Sequence, residues 1–221
     1  MTASTCIVNR ITDLPRSPLD TRWDALPRLT LAHFHSQSST HRPRIDVQIA
    51  HSGDALHWRF LVYDRYVLTR TLTSNGPVCT DSCVELFVEP IPGLGYFNIE
   101  INAGGSVLCG HITDPTRTET GFVGCSMFSD EELASISIAT TLPRVISPEI
   151  AAPLDWAMSA SIPLSVFSKR LGRKPPVPGL WRANFFKCAD DSSHPHWASW
   201  APITTRLNFH VPECFGLLEL R

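Results

Sequence analysis

Apolar residues at every second position, in short runs closed by turn formers, constrain this chain more than anything else in it. Ile45-Asp46-Val47-Gln48-Ile49 alternates with period two, Ser52-Gly53-Asp54 marks a turn, and Leu56–Asp64 follows as a second apolar run. Successive side chains of a strand point to opposite faces, so the pair reads as a β-hairpin. Further strands are predicted at Cys83–Glu89, Tyr96–Asn102, Val107–Ile112, Ser135–Thr141, Asp155–Ile162, Leu180–Cys188 and Phe215–Leu220. Ala103-Gly104-Gly105 is a hairpin turn between Tyr96–Asn102 and Val107–Ile112. Only two short helices fit, at Asp130–Leu133 and Pro163–Arg170, the second with proline in its first turn.

Composition narrows the fold further. The 221 residues include 18 prolines but only 18% charged residues, a balance that disfavours a helix bundle. With 43% hydrophobic residues the chain can bury one substantial core. The expected fold is all-β: an antiparallel β-sandwich with few short helices. Residues 44–221 are expected to form the sandwich domain, and residues 1–43, broken by Pro15, Pro18, Pro27 and Pro43, an irregular arm packed on it, with room for a short strand. A net charge of −2 argues against a nucleic-acid partner. The lack of an apolar run of ~18 residues argues against a membrane partner. The first residues lack the apolar stretch of a signal peptide, so a cytoplasmic location is expected, or a secreted one if a leader has been trimmed from this sequence. Seven cysteines (6, 79, 83, 109, 125, 188 and 214) cannot all pair internally and show no zinc-ribbon spacing, which suits buried thiols in a reducing compartment.

Strand alternation also locates a polar face. Val84, Leu86 and Val88, then Phe97, Ile99 and Ile101, then Trp181, Ala183 and Phe185 form the inward set. Cys83, Glu85, Phe87 and Glu89, Tyr96, Asn98, Glu100 and Asn102, and Arg182, Asn184, Phe186 and Cys188 therefore point outward. Were these three strands neighbours, carboxylates, amides and a guanidinium would share one face beside aromatic rings, a mixture that suits a polyhydroxylated ligand. Residues 113–130 and 189–212 are long, rich in turn formers and expected as functional or capping loops. The candidate ligand-binding residues are Glu85, Asn98, Glu100, Arg182, Asn184, Trp200, Phe209 and His210.

Four segments carry a resemblance to a known family. They are Asp81–Val88 with Tyr96–Gly105, Trp181–Cys188, His194–Pro202 and Asn208–Gly216. Together they resemble the family 9 carbohydrate-binding modules and their DOMON-like relatives, in particular a single-domain subgroup. The resemblance implies a β-sandwich of DOMON-like or jelly-roll type that binds a small sugar or other polar ligand. In sugar-binding members two tryptophans clamp a terminal sugar while polar residues of adjacent strands bind its hydroxyls. Carried over by position, Glu85, Asn98 and Glu100 match the polar sites. The tryptophan positions fall on Cys79 or Val78 and on Phe209.

No metal is expected. The H-x-H pairs His33/His35 and His194/His196 could contribute two ligands with His210 or Glu100 as a third, but Pro195 spoils strand geometry in the second pair. No cofactor is expected either. Structural calcium, which the resemblance raises, has no supporting motif beyond Asp13, Asp20, Asp24 and Asp190-Asp191. The alternative reading is an intracellular isomerase, cyclase or hydrolase of a small metabolite, with Glu85, Glu100 or His210 as general acid or base.

Overall fold

In the computed structural model, which describes residues 4–221, the alternating runs become strands at the expected places. In chain order the strands begin with β1 (Thr5–Arg10), β2 (Leu29–Thr30), β3 (His33–Phe34), β4 (Arg44–His51), β5 (Ala55–Asp64), β6 (Val67–Thr69), β7 (Cys83–Glu89) and β8 (Tyr96–Asn102). They continue with β9 (Val107–Arg117), β10 (Phe122–Met127), β11 (Ser137–Thr140), β12 (Ile146–Ile150), β13 (Leu154–Pro163), β14 (Gly179–Cys188), β15 (Trp197–Ser199) and β16 (Gly216–Leu220). One sheet runs β10-β9-β8-β7-β14-β16-β1 and continues through β1 into β4-β5-β13-β11. The path curls on itself so that its two halves face each other as a sandwich. Phe60 of β5 meets Phe185 of β14 across the core at 6.1 Å between ring centroids. The inward sets of β7, β8 and β14 are all buried in that core, as their alternation requires.

Every strand pairing is antiparallel except those of β1, which runs parallel to β16 through Thr5–Val8 and parallel to β4 through Asn9–Arg10. The N-terminal stretch, expected as an irregular arm, thus holds a six-residue strand that joins the two halves, as well as the two-residue strands β2 and β3. The stretch 113–130, expected as a loop, is mostly the outer end of the β9–β10 hairpin. Pro115 hid it, and the ladder is irregular there, with Gly124 paired to Asp114 and Phe122 to Arg117.

Two helices close the open end of the core. Ser129 caps α1 (Asp130–Ala134) in a reciprocal box with Glu132. The second, α2 (Leu164–Leu171), buries Leu164, Val166 and Phe167 and ends at Gly172 in the left-handed region. Arg170 and Glu132 tie the two together at 2.6 Å. Among the described residues no helix is long and apolar enough to cross a membrane.

Candidate functional site

Register across β8, β7 and β14 decides which side chains share the outer face of this sheet. Glu85 lies opposite both Glu100 and Phe186, Cys83 opposite Asn102 and Cys188, and Phe87 opposite Asn98 and Asn184. The face is not open to solvent, because residues 203–215 fold back across it. Phe209 stacks on Phe186 at 4.2 Å, His210 packs on Phe87 at 4.8 Å and on Phe122 at 4.3 Å, and Phe215 meets Tyr96 edge-on at 5.5 Å. These rings and Ile112 form a second, smaller apolar cluster that pins the covering segment down.

Beside that cluster remains a cavity of about 840 Å³. Its polar lining includes Glu85, Asn98, Glu100, Asp190, His210, the thiols of Cys79 and Cys188 and the Arg117 guanidinium, while Phe122, Trp197 and Phe209 supply aromatic walls. Gly110, opposite Asn98 in β9, leaves room for it. A Cβ at Gly110 would approach Asn98 Oδ1 to 3.0 Å and Met127 Sδ to 3.3 Å.

The electrostatics are unusual for so polar a place. Glu85 is 2% exposed and Glu100 6%. Among the described residues neither belongs to an ion pair such as Arg182 makes with Glu89. Cys188 Sγ donates to Glu85 Oε1 at 3.0 Å, and Asn98 Nδ2 donates to Glu100 Oε1 at 2.9 Å. Burial pushes the Glu100 carboxyl up to about 7. Burial, then the neighbouring Glu100 charge, pushes Glu85 well above the usual carboxylate range. Burial likewise raises the Cys79 and Cys188 thiols, and the Cys83 thiol to about 12. Asn98 Oδ1 is buried without a hydrogen-bond partner. The cavity therefore offers carboxyl groups that accept hydrogen bonds when ionised and donate them when protonated.

His210 does not fit the role of proton carrier that the enzyme alternative gives it. Its Nδ1 bonds the Tyr96 hydroxyl at 2.8 Å. Burial and then Arg117 depress its pKa to about 3, so the ring stays neutral near neutrality.

The structure brings Glu85, Asn98, Glu100, Phe209 and His210 together on the cavity and leaves three candidates out of it. Arg182 has the expected orientation but lies further along β14. It pairs with Glu89 Oε2 at 2.9 Å and donates to the Pro212 carbonyl. Asn184 is fully buried under the returning chain, donating to Ala201 O at 3.0 Å and accepting from the Phe185 and Ala201 amides. Trp200 packs on Phe185 at 5.8 Å inside the main core. Parity explains the difference. In β15, Trp197 pairs with Cys188 and shares its outer face, so Trp200, three residues on, turns inward.

Arg117 and Phe122, at the hairpin tip, were not legible as lining residues. Their strands carry no alternation to read, and only the loop-like composition pointed to them. Elsewhere, His196 joins His41, Asp64 and Lys187 inside the sandwich, bonding Lys187 Nζ at 2.9 Å, and His194 stacks on Tyr66 at 3.7 Å. The aspartates considered for calcium have other partners. Asp13 and Asp20 contact Arg22, Asp24 contacts Arg28 and Arg59, Asp191 contacts Arg70, and Asp190 accepts from Trp197 Nε1.

A sandwich with a polar-lined cavity beside a covering segment on the outer face of one sheet has the layout of a small-ligand binding module. The chain belongs to carbohydrate-binding family 9, whose family model matches residues 18–220. It is similar to the crystal structure of a Bacteroides uniformis protein provisionally named as carbohydrate-binding, with a TM-score of 0.86, 25% identity and full coverage of both chains. It also shares its fold with a family 9 module from Caldicellulosiruptor kristjanssonii, solved in complex with glucose and with cellotriose. In both cases the TM-score is 0.65 and the identity 15%, over 99% of this chain and 96% and 94% of the two others. No curated protein matches the chain significantly.

Proposed function

We propose that this protein binds a saccharide by lodging a sugar unit in the cavity on the outer face of β7, β8 and β14. The observation that carries the reading is the Glu85–Glu100 pair: two buried carboxyls, side by side, turned into a cavity and, among the described residues, in no ion pair, with Arg117 at the cavity's rim as the nearby cation. Sugar hydroxyls both donate and accept, and so complement carboxyls that do the same. Asn98 adds an amide, with its Oδ1 unpartnered. The C–H face of a pyranose stacks on aromatic rings, and Trp197 and Phe209 supply them. Val78 and Cys79, one of which stands at the resemblance's tryptophan position, pack in one cluster with Trp197 and Phe209, so Trp197 provides the ring lacking there. The cavity falls within the ~300–1,000 Å³ usual for small-molecule sites. Membership of family 9, and neighbours solved with glucose and cellotriose, support the same reading. They lend none to the enzymatic alternative. Kinship with DOMON-like sandwiches, a cytosolic setting and the absence of nucleic-acid or membrane partners are parts of this proposal.

Isothermal titration and tryptophan fluorescence with glucose, cellotriose and a panel of other mono- and disaccharides test it. At least one sugar is expected to bind, and Trp197→Ala to weaken it ~10-fold or more, which is about 1.4 kcal/mol. Silence across the panel in both measurements counts against it.

A further inference from the structure

At the polar lining of the cavity, Glu85 belongs to a second constellation, with two thiols that sugar recognition does not need. Cys83 of β7 and Cys188 of β14 are directly paired across the two strands, and Glu85 stands two residues along from Cys83 on the same face. One donor atom from each of the three, two Sγ and a carboxylate oxygen, all lie within 4.8 Å of one another. Cys83 is 0% exposed and Glu85 and Cys188 2% each. Yet Glu85 and Cys188 line the cavity, so the group has an entry path. The nearby buried cation, Lys187, turns to the other side of the sheet, where it meets His196 at 2.9 Å and Asp64 at 3.7 Å.

We propose that Cys83, Cys188 and Glu85 form a binding site for a borderline-soft divalent cation of the zinc class, with a fourth coordination position open to the cavity. Thiolate sulfur and carboxylate oxygen are ordinary zinc ligands at ~2.3 and ~2.0–2.2 Å, and three donors within 4.8 Å of one another come to share one ion by closing toward it. Hard cations such as calcium and magnesium prefer all-oxygen shells and do not suit two sulfurs. Coordination balances as an exchange: the ion enters, the two thiol protons and the proton of Glu85, where present, leave to solvent, and no electron moves. Three protein ligands with an open position facing a cavity is the arrangement in which zinc also holds an exogenous oxygen. The site shares Glu85 with the sugar-binding reading but does not rest on it, since the ion binds without sugar.

Titration of the reduced, metal-free protein with Co²⁺ and then Zn²⁺, in the absence of any sugar, tests the proposal. One equivalent of Co²⁺ is expected to produce thiolate-to-cobalt charge-transfer absorption and the intense visible bands of a tetrahedral site, both erased by Zn²⁺. Cys83→Ser and Cys188→Ser are expected to remove the charge-transfer signal in part and to weaken Zn²⁺ by more than the ~10–100-fold that loss of an outer-shell partner costs. Cys214→Ser, away from the site, leaves both unchanged. Should the serine variants fold poorly, alkylation of the wild-type protein gives the same answer: Zn²⁺ is expected to protect Cys83 and Cys188, read peptide by peptide, and not Cys214. Absence of charge transfer, a spectrum unaltered in both serine variants, or equal protection of all three cysteines overturns the proposal.

Discussion

Glu85 and Glu100 face each other across neighbouring strands with no ion pair to relieve them, and this has a consequence for stability that can be measured. Folding holds a proton on Glu100 up to about pH 7, whereas an unperturbed glutamate releases it near 4.5. Between those values the folded state binds more protons than the unfolded chain, so stability falls as pH rises. The contribution is complete below about 4.5 and is lost as pH climbs through about 7. Glu100→Gln keeps the shape and removes the charge. Relative to wild type it is expected to change little at pH 5 and to gain on the order of 1–3 kcal/mol by pH 8. His210, held neutral down to about pH 3 by burial, works in the opposite sense at acid pH and cancels in the comparison. Urea unfolding midpoints of both proteins at the two pH values decide it, and parallel pH profiles would mean that Glu100 is ionised throughout.

Between residues and fold, the covering segment decides what the outer face becomes. Phe209 on Phe186, the Tyr96–His210 hydrogen bond and Phe215 on Tyr96 hold residues 203–215 against β7, β8 and β14. Phe209→Ala is expected to cost about 1–2 kcal/mol, less than a fully buried Phe→Ala. It should speed deuterium uptake in the amides of 203–212 by ~10-fold, while β7 and β14 keep their protection. Equal acceleration across the sheet would show that the segment is part of the core and no separate cover. The same segment marks the boundary of what the sequence could reveal. Period-two alternation placed Glu85, Asn98 and Glu100 on one face correctly, because β7 and β8 are long enough for parity to be counted. It also oriented Arg182 and Asn184 correctly, but orientation is not exposure. Whether a side chain faces solvent, a cavity or returning backbone depends on a segment some twenty residues away, and nothing in β14 encodes where that segment lands. Trp200 was misread for a related reason. Its parity is set by β15, three residues long, which shows no alternation of its own.

For the molecule as a whole, the two halves of the sandwich are held to each other by β1. One end of this six-residue strand pairs with β16 and the other with β4, both parallel, while its inward side chains Cys6 and Val8 enter the core. Parallel partners lie far away in sequence, so local patterning reveals the hairpins but not this clasp. Its importance can be tested by parity. Val8 is 0% exposed, whereas Ile7, next to it, is 38% exposed on the other face. An aspartate at position 8 buries an unpaired charge at the seam, which costs several kcal/mol. For a chain of this size that corresponds to a fall in Tm of about 10 °C or more. Ile7→Asp places the same charge in solvent and is expected to shift Tm by no more than ~2 °C. If β1 were only an arm resting on a finished sandwich, the two substitutions would behave alike, and removal of residues 1–10 would leave a soluble, cooperatively unfolding protein. With β1 as the clasp, that truncation strips β16 and β4 of a neighbour at once and exposes two unpaired edges. Loss of soluble, folded protein on size exclusion is then the expected outcome, with thermal melts of the two aspartate variants separating a broken seam from mere loss of a tail.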